Sequence, residues 1–193
     1  MASFFQSLAF FCLSFLHLHL IHKALSLEPV DPTQGFLSVP LNHSYYHIQK
    51  PYDVPEDQRY SFINGVHKCW VYSTDKPHTP TSQTKPRTEI AIQGYNYSSG
   101  VWQFQGYGYV PDGTSGVCIM QVFGASHPRA TTLMLRVYNG EGLQNYIDGH
   151  LKLEAPGRGG TSHAFKCGVY AQDDDSYCME SRWKDFKISR KSS

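Results

Sequence analysis

Residues 163–172 read His163-Ala164-Phe165-Lys166-Cys167-Gly168-Val169-Tyr170-Ala171-Gln172. Side chains of a β-strand point alternately to its two faces. As a strand, this stretch puts Lys166, Gly168, Tyr170 and Gln172 on one face. Phe165, Cys167, Val169 and Ala171 take the other. The second face is small and apolar and suits a core. The first offers a cation, a gap, a phenol and an amide, as one wall of a ligand groove would. Alternation is also the ordinary look of a half-buried strand, so neighbouring segments decide its meaning.

Those neighbours are strand-like too. Arg59–Ser73 is rich in β-branched and aromatic residues, with Gly65 as a hairpin corner. Thr74–Pro86 carries Pro77, Pro80 and Pro86 and reads as a loop. Arg87–Gln93, Val101–Val110, Val117–Phe123 and Thr131–Tyr138 follow as strands. Pro111-Asp112-Gly113 and Asn139-Gly140 mark turns between them. Leu143–Leu153 reads as two short strand pieces, Asp173–Asp175 as an acidic turn and Arg182–Ser189 as the last strand. No stretch sustains a helical period. Many short strands divided by Gly, Pro and Asn turns predict an all-β sandwich or barrel.

Residues 1–26 stand apart. Ser3–Ile21 is almost wholly apolar and leads to Ala24-Leu25-Ser26, a small-x-small cleavage pattern. This predicts a secretory signal peptide, with no other segment apolar enough to span a bilayer. Residues 27–58 form an extended arm with first strands, and residues 59–193 the β-domain, arm and domain making one unit. Of 17 Lys and Arg, cleavage removes Lys23, and it removes none of the 16 acids. A mature charge near zero argues against nucleic acid as a partner. Of five cysteines, Cys12 leaves with the leader, so Cys69, Cys118, Cys167 and Cys178 are candidates for two disulfides. Three connectivities are open. No spacing suits zinc, and neither metal nor cofactor is expected. Asn42 and Asn96 lie in glycosylation sequons. A monomer in the secretory pathway is expected.

In Arg87–Gln93 one face carries Arg87, Glu89, Ala91 and Gln93, the other Thr88, Ile90 and Ile92. In Val117–Phe123 strict alternation puts Ile119, Gln121 and Phe123 on one face, and Cys118, Met120 and Val122 on the other. If these strands share a sheet with residues 163–172, then Arg87, Gln121, Lys166, Tyr170 and Gln172 converge, with Glu89 orienting Arg87. Arginine grips a carboxylate bidentately and lysine adds a point charge. The expected ligand is a carboxylate. Tyr95, Tyr97, Trp102, Tyr107 and Tyr109 are candidates for stacking on sugars, though aromatics in β-proteins more often fill cores.

Pro86-Arg87-Thr88-Glu89-Ile90, Gln121-Val122-Phe123 and Phe165–Gln172 resemble, in order, the three signature blocks of the family 7 polysaccharide lyases, the alginate lyases. The resemblance spans roughly residues 60–188 and implies a β-jelly roll of two antiparallel sheets. Val66–Tyr72 and Gly116–Gly124, with the leader, are similar to a plant branch of that superfamily, the citrate-binding proteins. In the lyases the middle block ends in histidine, where this chain has Phe123, and the first block ends in arginine, where it has Ala91. The resemblance gives Tyr170 the acid–base role in a lyase. Phenylalanine neither ionises nor hydrogen-bonds, and losing a positioned acid–base group costs on the order of 10²–10⁴ in rate. His127, on a loop before Pro128, reads as a surface residue. The expectation is binding of citrate or a related organic acid without catalysis. The alternatives are a wall or stress protein that binds acidic glycans, and a lyase cleaving a uronate polymer by β-elimination. The destination is extracellular or, as the resemblance implies, the vacuole.

Overall fold

The computed structural model describes residues 31, 33–126, 130–138 and 158–191. The chain divides into two units. Gly35–Tyr146 with Ala155–Ser193 holds every described strand, whereas Met1–Gln34 with Ile147–Glu154 lies almost wholly outside the described residues. The leader, His127, the Asn139-Gly140 turn and the Leu143–Leu153 strands also fall outside them.

Ten strands are described: β1 Phe36–Ser38, β2 Tyr46–Gln49, β3 Tyr60–Ile63, β4 Val66–Tyr72, β5 Arg87–Ile92, β6 Trp102–Tyr109, β7 Val117–Phe123, β8 Thr131–Val137, β9 Ala164–Ala171 and β10 Cys178–Lys191. Among the described residues there is no α-helix, and no helix is long and apolar enough to cross a membrane. The first sheet has the order β1-β10-β4-β3, with β6 on the other edge of β10. The second has the order β2-β5-β9-β7-β8. All pairings are antiparallel. The expected arm thus supplies a strand to each sheet.

Alternation builds the core between the sheets. β4 contributes Cys69 and Val71, and β10 contributes Met179, Trp183, Phe186 and Ile188. From the second sheet come Ile90 and Ile92, Val117 and Ile119, and Phe165, Cys167, Val169 and Ala171. Full burial of one large apolar side chain such as Ile90 or Ile188 stabilises by roughly 1.5–3 kcal/mol. Side-chain hydrogen bonds also tie the two sheets together. Ser181 Oγ on β10 donates to the Gly168 carbonyl of β9 at 2.5 Å and accepts from Trp183 Nε1 at 3.2 Å. Thr88 Oγ1 donates to the Trp70 carbonyl at 2.9 Å.

Two expectations are corrected. β7 does not alternate strictly, because its pairing with both neighbours shifts between Cys118 and Met120. A bulge inserts one unpaired residue and resets which face follows. Ile119 therefore turns into the core, and Cys118, opposite Tyr170, takes the outer face. The four cysteines are free thiols. Cys69 and Cys167 lie in the core, raised well above an ordinary thiol pKa by burial. Cys118 is on the outer face of the second sheet and Cys178 is exposed on the first. Packed sheets lie about 10 Å apart, so these two cannot pair across the core.

Candidate functional site

The outer face of a sheet is ordinarily wet. Here all six residues of β5 are buried, those on its outer side included. Register explains how four strands bring one cluster together. Arg87 pairs with Tyr170, and Tyr170 with Cys118. Ala91 pairs with Lys166, and Lys166 with Gln121. Between these rows Glu89 lies opposite Gly168. On the far side of β5, Gln49 of β2 pairs with Glu89 and His47 with Ala91.

Glu89 is the hub, with no exposed surface. It accepts from Arg87 Nη1 at 3.2 Å on one oxygen and from Gln121 Nε2 at 2.5 Å on the other. The Gln121 carbonyl oxygen accepts from Thr131 Oγ1 on β8 at 2.7 Å, which fixes which end of the amide faces Glu89. The Arg87 guanidinium lies 3.7 Å from the centre of the Tyr170 ring, a close cation–π contact. The carboxylate thus orients Arg87, and Gln121 as well, with both its oxygens engaged.

Lys166 is 6% exposed. Its ammonium donates to Gln49 Oε1 at 2.9 Å and stands 4.1 Å from the Phe123 ring centre. Burial lowers its pKa; the Glu89 charge pulls back upward and Arg87 adds to the fall. Two buried cations therefore share one buried carboxylate, leaving a surplus positive charge where low dielectric strengthens its attraction for an anion. Arg87 has five donors. Its Nε is buried without a hydrogen-bond partner.

A further group enters from the loop between β4 and β5. His78 Nδ1 is also buried without a partner. Burial lowers the pKa of this imidazole, and the nearby charges of Arg87, Lys166 and His47 lower it further.

Of the residues expected to converge, Arg87, Glu89, Gln121, Lys166 and Tyr170 do. Gln172 does not: β9 ends at Ala171, and the Gln172 amide turns back to the carbonyls of Tyr170 and Ala171. Phe123 sits at the edge of the cluster beside Lys166. Sequence reasoning missed Gln49, Thr131, Cys118 and His78. The period of His47 and Gln49 in a short strand was a usable signal for Gln49; a histidine in a proline-rich loop gave none. Among the aromatic candidates, Tyr97 stacks on Trp102 and Tyr95 on Tyr45, both as packing. Tyr107 and Tyr109 are exposed on the outer face of the first sheet, far from the cluster. Asn42 and Asn96 are exposed. No group of metal-ligating side chains occurs among the described residues.

Two facing antiparallel sheets, one bearing buried arginine, glutamine and lysine and a half-buried tyrosine outward at matched register, define a lyase-like jelly roll. Residues 39–146, more than half of the chain, match the family model described as alginate lyase, and the chain belongs to that family. It is similar to the citrate-binding protein of Hevea brasiliensis, with 46% identity over 211 residues covering 92% of this chain and 88% of that protein. No solved structure matches.

Proposed function

We propose that the outer face of the second sheet binds a small polycarboxylate of the citrate class and does not cleave it. The observation that carries this reading is two buried cations, Arg87 paired to the Glu89 carboxylate and Lys166 bonded to the Gln49 amide, with Arg87 Nε left for an acceptor. The name of the Hevea relative supports the ligand class. Phe123 supports binding over elimination, since its ring offers Lys166 a π-face and no proton acceptor. Calorimetric titration with citrate tests the reading: saturable heat is expected, and none for citrate or related acids overturns it.

One observation favours a second reading, an acidic glycan on the other sheet. Tyr109 stacks with Arg182 and Tyr107 with Lys184, at 5.6 and 5.7 Å from cation to ring centre, on an outward face that also carries Lys68 and Lys187. Retardation in gels cast with polyuronate, abolished by Tyr107→Ala with Tyr109→Ala, would support it. Entry to the secretory pathway through residues 1–26, glycosylation at Asn42 and Asn96, and a vacuolar or extracellular destination belong to the same proposal. Mass spectrometry of the protein from plant cells, before and after deglycosylation, tests the first two, and a fluorescent fusion tests the third.

A further inference from the structure

The lyase-like frame has Phe123 where the resemblance places histidine, yet an imidazole reaches the same cluster from elsewhere. Tyr52, just past β2, donates its N–H to the Pro77 carbonyl at 3.0 Å and so holds the following residue, His78, at the β2 side of the site. The titratable and charged groups that act on this ring are Arg87 from β5, Lys166 from β9 and His47 from β2. The one acid of the cluster, Glu89, is engaged by Arg87 and Gln121. Nothing among the described residues accepts from or donates to His78 Nδ1. A buried polar atom left unpaired costs free energy, and Arg87 Nε, on a guanidinium whose charge acts on this ring, has the same deficit. One acceptor placed among His78, Arg87 and Lys166 would satisfy both nitrogens.

We propose that His78 is a contact of the carboxylate site and couples its occupancy to a proton, donating through Nδ1 to the bound anion, so that binding tightens on acidification. This rests on the carboxylate-binding reading above. The sign follows from charge. In the empty site two neighbouring cations and burial oppose protonation of the ring. A bound carboxylate reverses the local potential and raises the affinity of the ring for a proton. Between the free and bound pKa values, binding takes up a proton, and affinity climbs as pH falls through that window.

The test is calorimetric titration of citrate into the intact folded protein and its His78→Asn variant from about pH 5 to about pH 7.5. Two buffers of different ionisation enthalpy at each pH give the number of protons taken up. The ionisation of citrate itself is common to both proteins, so the difference isolates the ring. The wild type is expected to take up more protons than His78→Asn. Its affinity advantage should widen toward acid by about tenfold for each unit that the ligand raises the ring pKa. A His47→Asn variant should keep this behaviour; its loss there would assign the proton to His47 and overturn the proposal. Equal proton uptake and a constant affinity ratio, with citrate still binding both proteins, overturns the role of His78 and leaves the carboxylate site standing. Absence of citrate binding to the wild type overturns both. A His78→Gln variant distinguishes lost contact from a disturbed loop: it should match His78→Asn in proton count.

Discussion

Gln121 on β7 donates to the buried carboxylate of Glu89 on β5 across the whole width of the strand between them. Strands lie about 4.8 Å apart, so the contact spans roughly twice that distance. It is open because β9 places Gly168, which has no side chain, opposite Glu89. The φ of Gly168 is +145°, and a Cβ there would lie 2.3 Å from the Thr88 carbonyl oxygen and 2.7 Å from Glu89 Cα. Both are backbone atoms and cannot swing aside. Gly168→Ala should therefore destabilise by more than ~1–3 kcal/mol and loosen the cluster. Thermal unfolding checks this; a melting temperature equal to that of the wild type would contradict it.

Glu89 is fully buried and bonds Arg87 and Gln121 directly. Glu89→Ala leaves a buried guanidinium and amide unpaired, and breaking a buried pair in this way costs about 3–5 kcal/mol. Chemical denaturation should show a loss of that order. A loss under about 1 kcal/mol would mean that solvent reaches the pair, as at exposed ion pairs.

The architecture and most of the cluster were legible because period-two alternation fixes which side chains share a face. Lys166 and Tyr170 were placed outward, and Cys167 and Val169 inward, from that rule alone. The rule failed at Ile119, where a bulge in β7 resets the faces without any marker such as glycine in the sequence. It failed again at Gln172, where strand pairing ends one residue sooner than the pattern suggests. His78 was invisible for another reason: its place depends on how a proline-rich loop folds back, whereas Gln49 was marked by alternation but the pairing of its strand with β5 was not. The cysteines followed the same logic in reverse. Their count suggested pairing, but the opposite faces of Cys118 and Cys178 forbid one combination.

His67, on the inner side of β4, is 5% exposed, and its Nδ1 shares a 2.7 Å hydrogen bond with the Tyr60 hydroxyl. Burial, aided by the neighbouring charge of His43, lowers its pKa from 6.5 to about 4. Between those values the unfolded chain binds a proton that the folded chain refuses. Stability from this group is full above pH 6.5 and drains away as pH falls toward 4. Melting temperatures across that window should fall with acid, and His67→Phe should flatten the slope. An unchanged slope in the variant would contradict the assignment.

Elimination from a uronate needs a base, and the cluster offers Tyr170 beneath the Arg87 guanidinium with Phe123 nearby. Incubation with alginate and other polyuronates should give no rise in ultraviolet absorbance from unsaturated product. A rise that vanishes in Tyr170→Phe would make the chain a lyase.

The central claim is that Arg87 and Lys166 hold a carboxylate. Hydrogen bonds to charged groups are worth about 1.5–3 kcal/mol each, so Arg87→Ala and Lys166→Ala should each weaken citrate binding by roughly tenfold or more. The direct measurement is calorimetric titration of citrate into the wild type and both variants, with circular dichroism to confirm that each is folded. Saturable binding by the wild type, weakened in both folded variants, is the predicted result. Equal affinity in all three would place the ligand elsewhere and contradict the account.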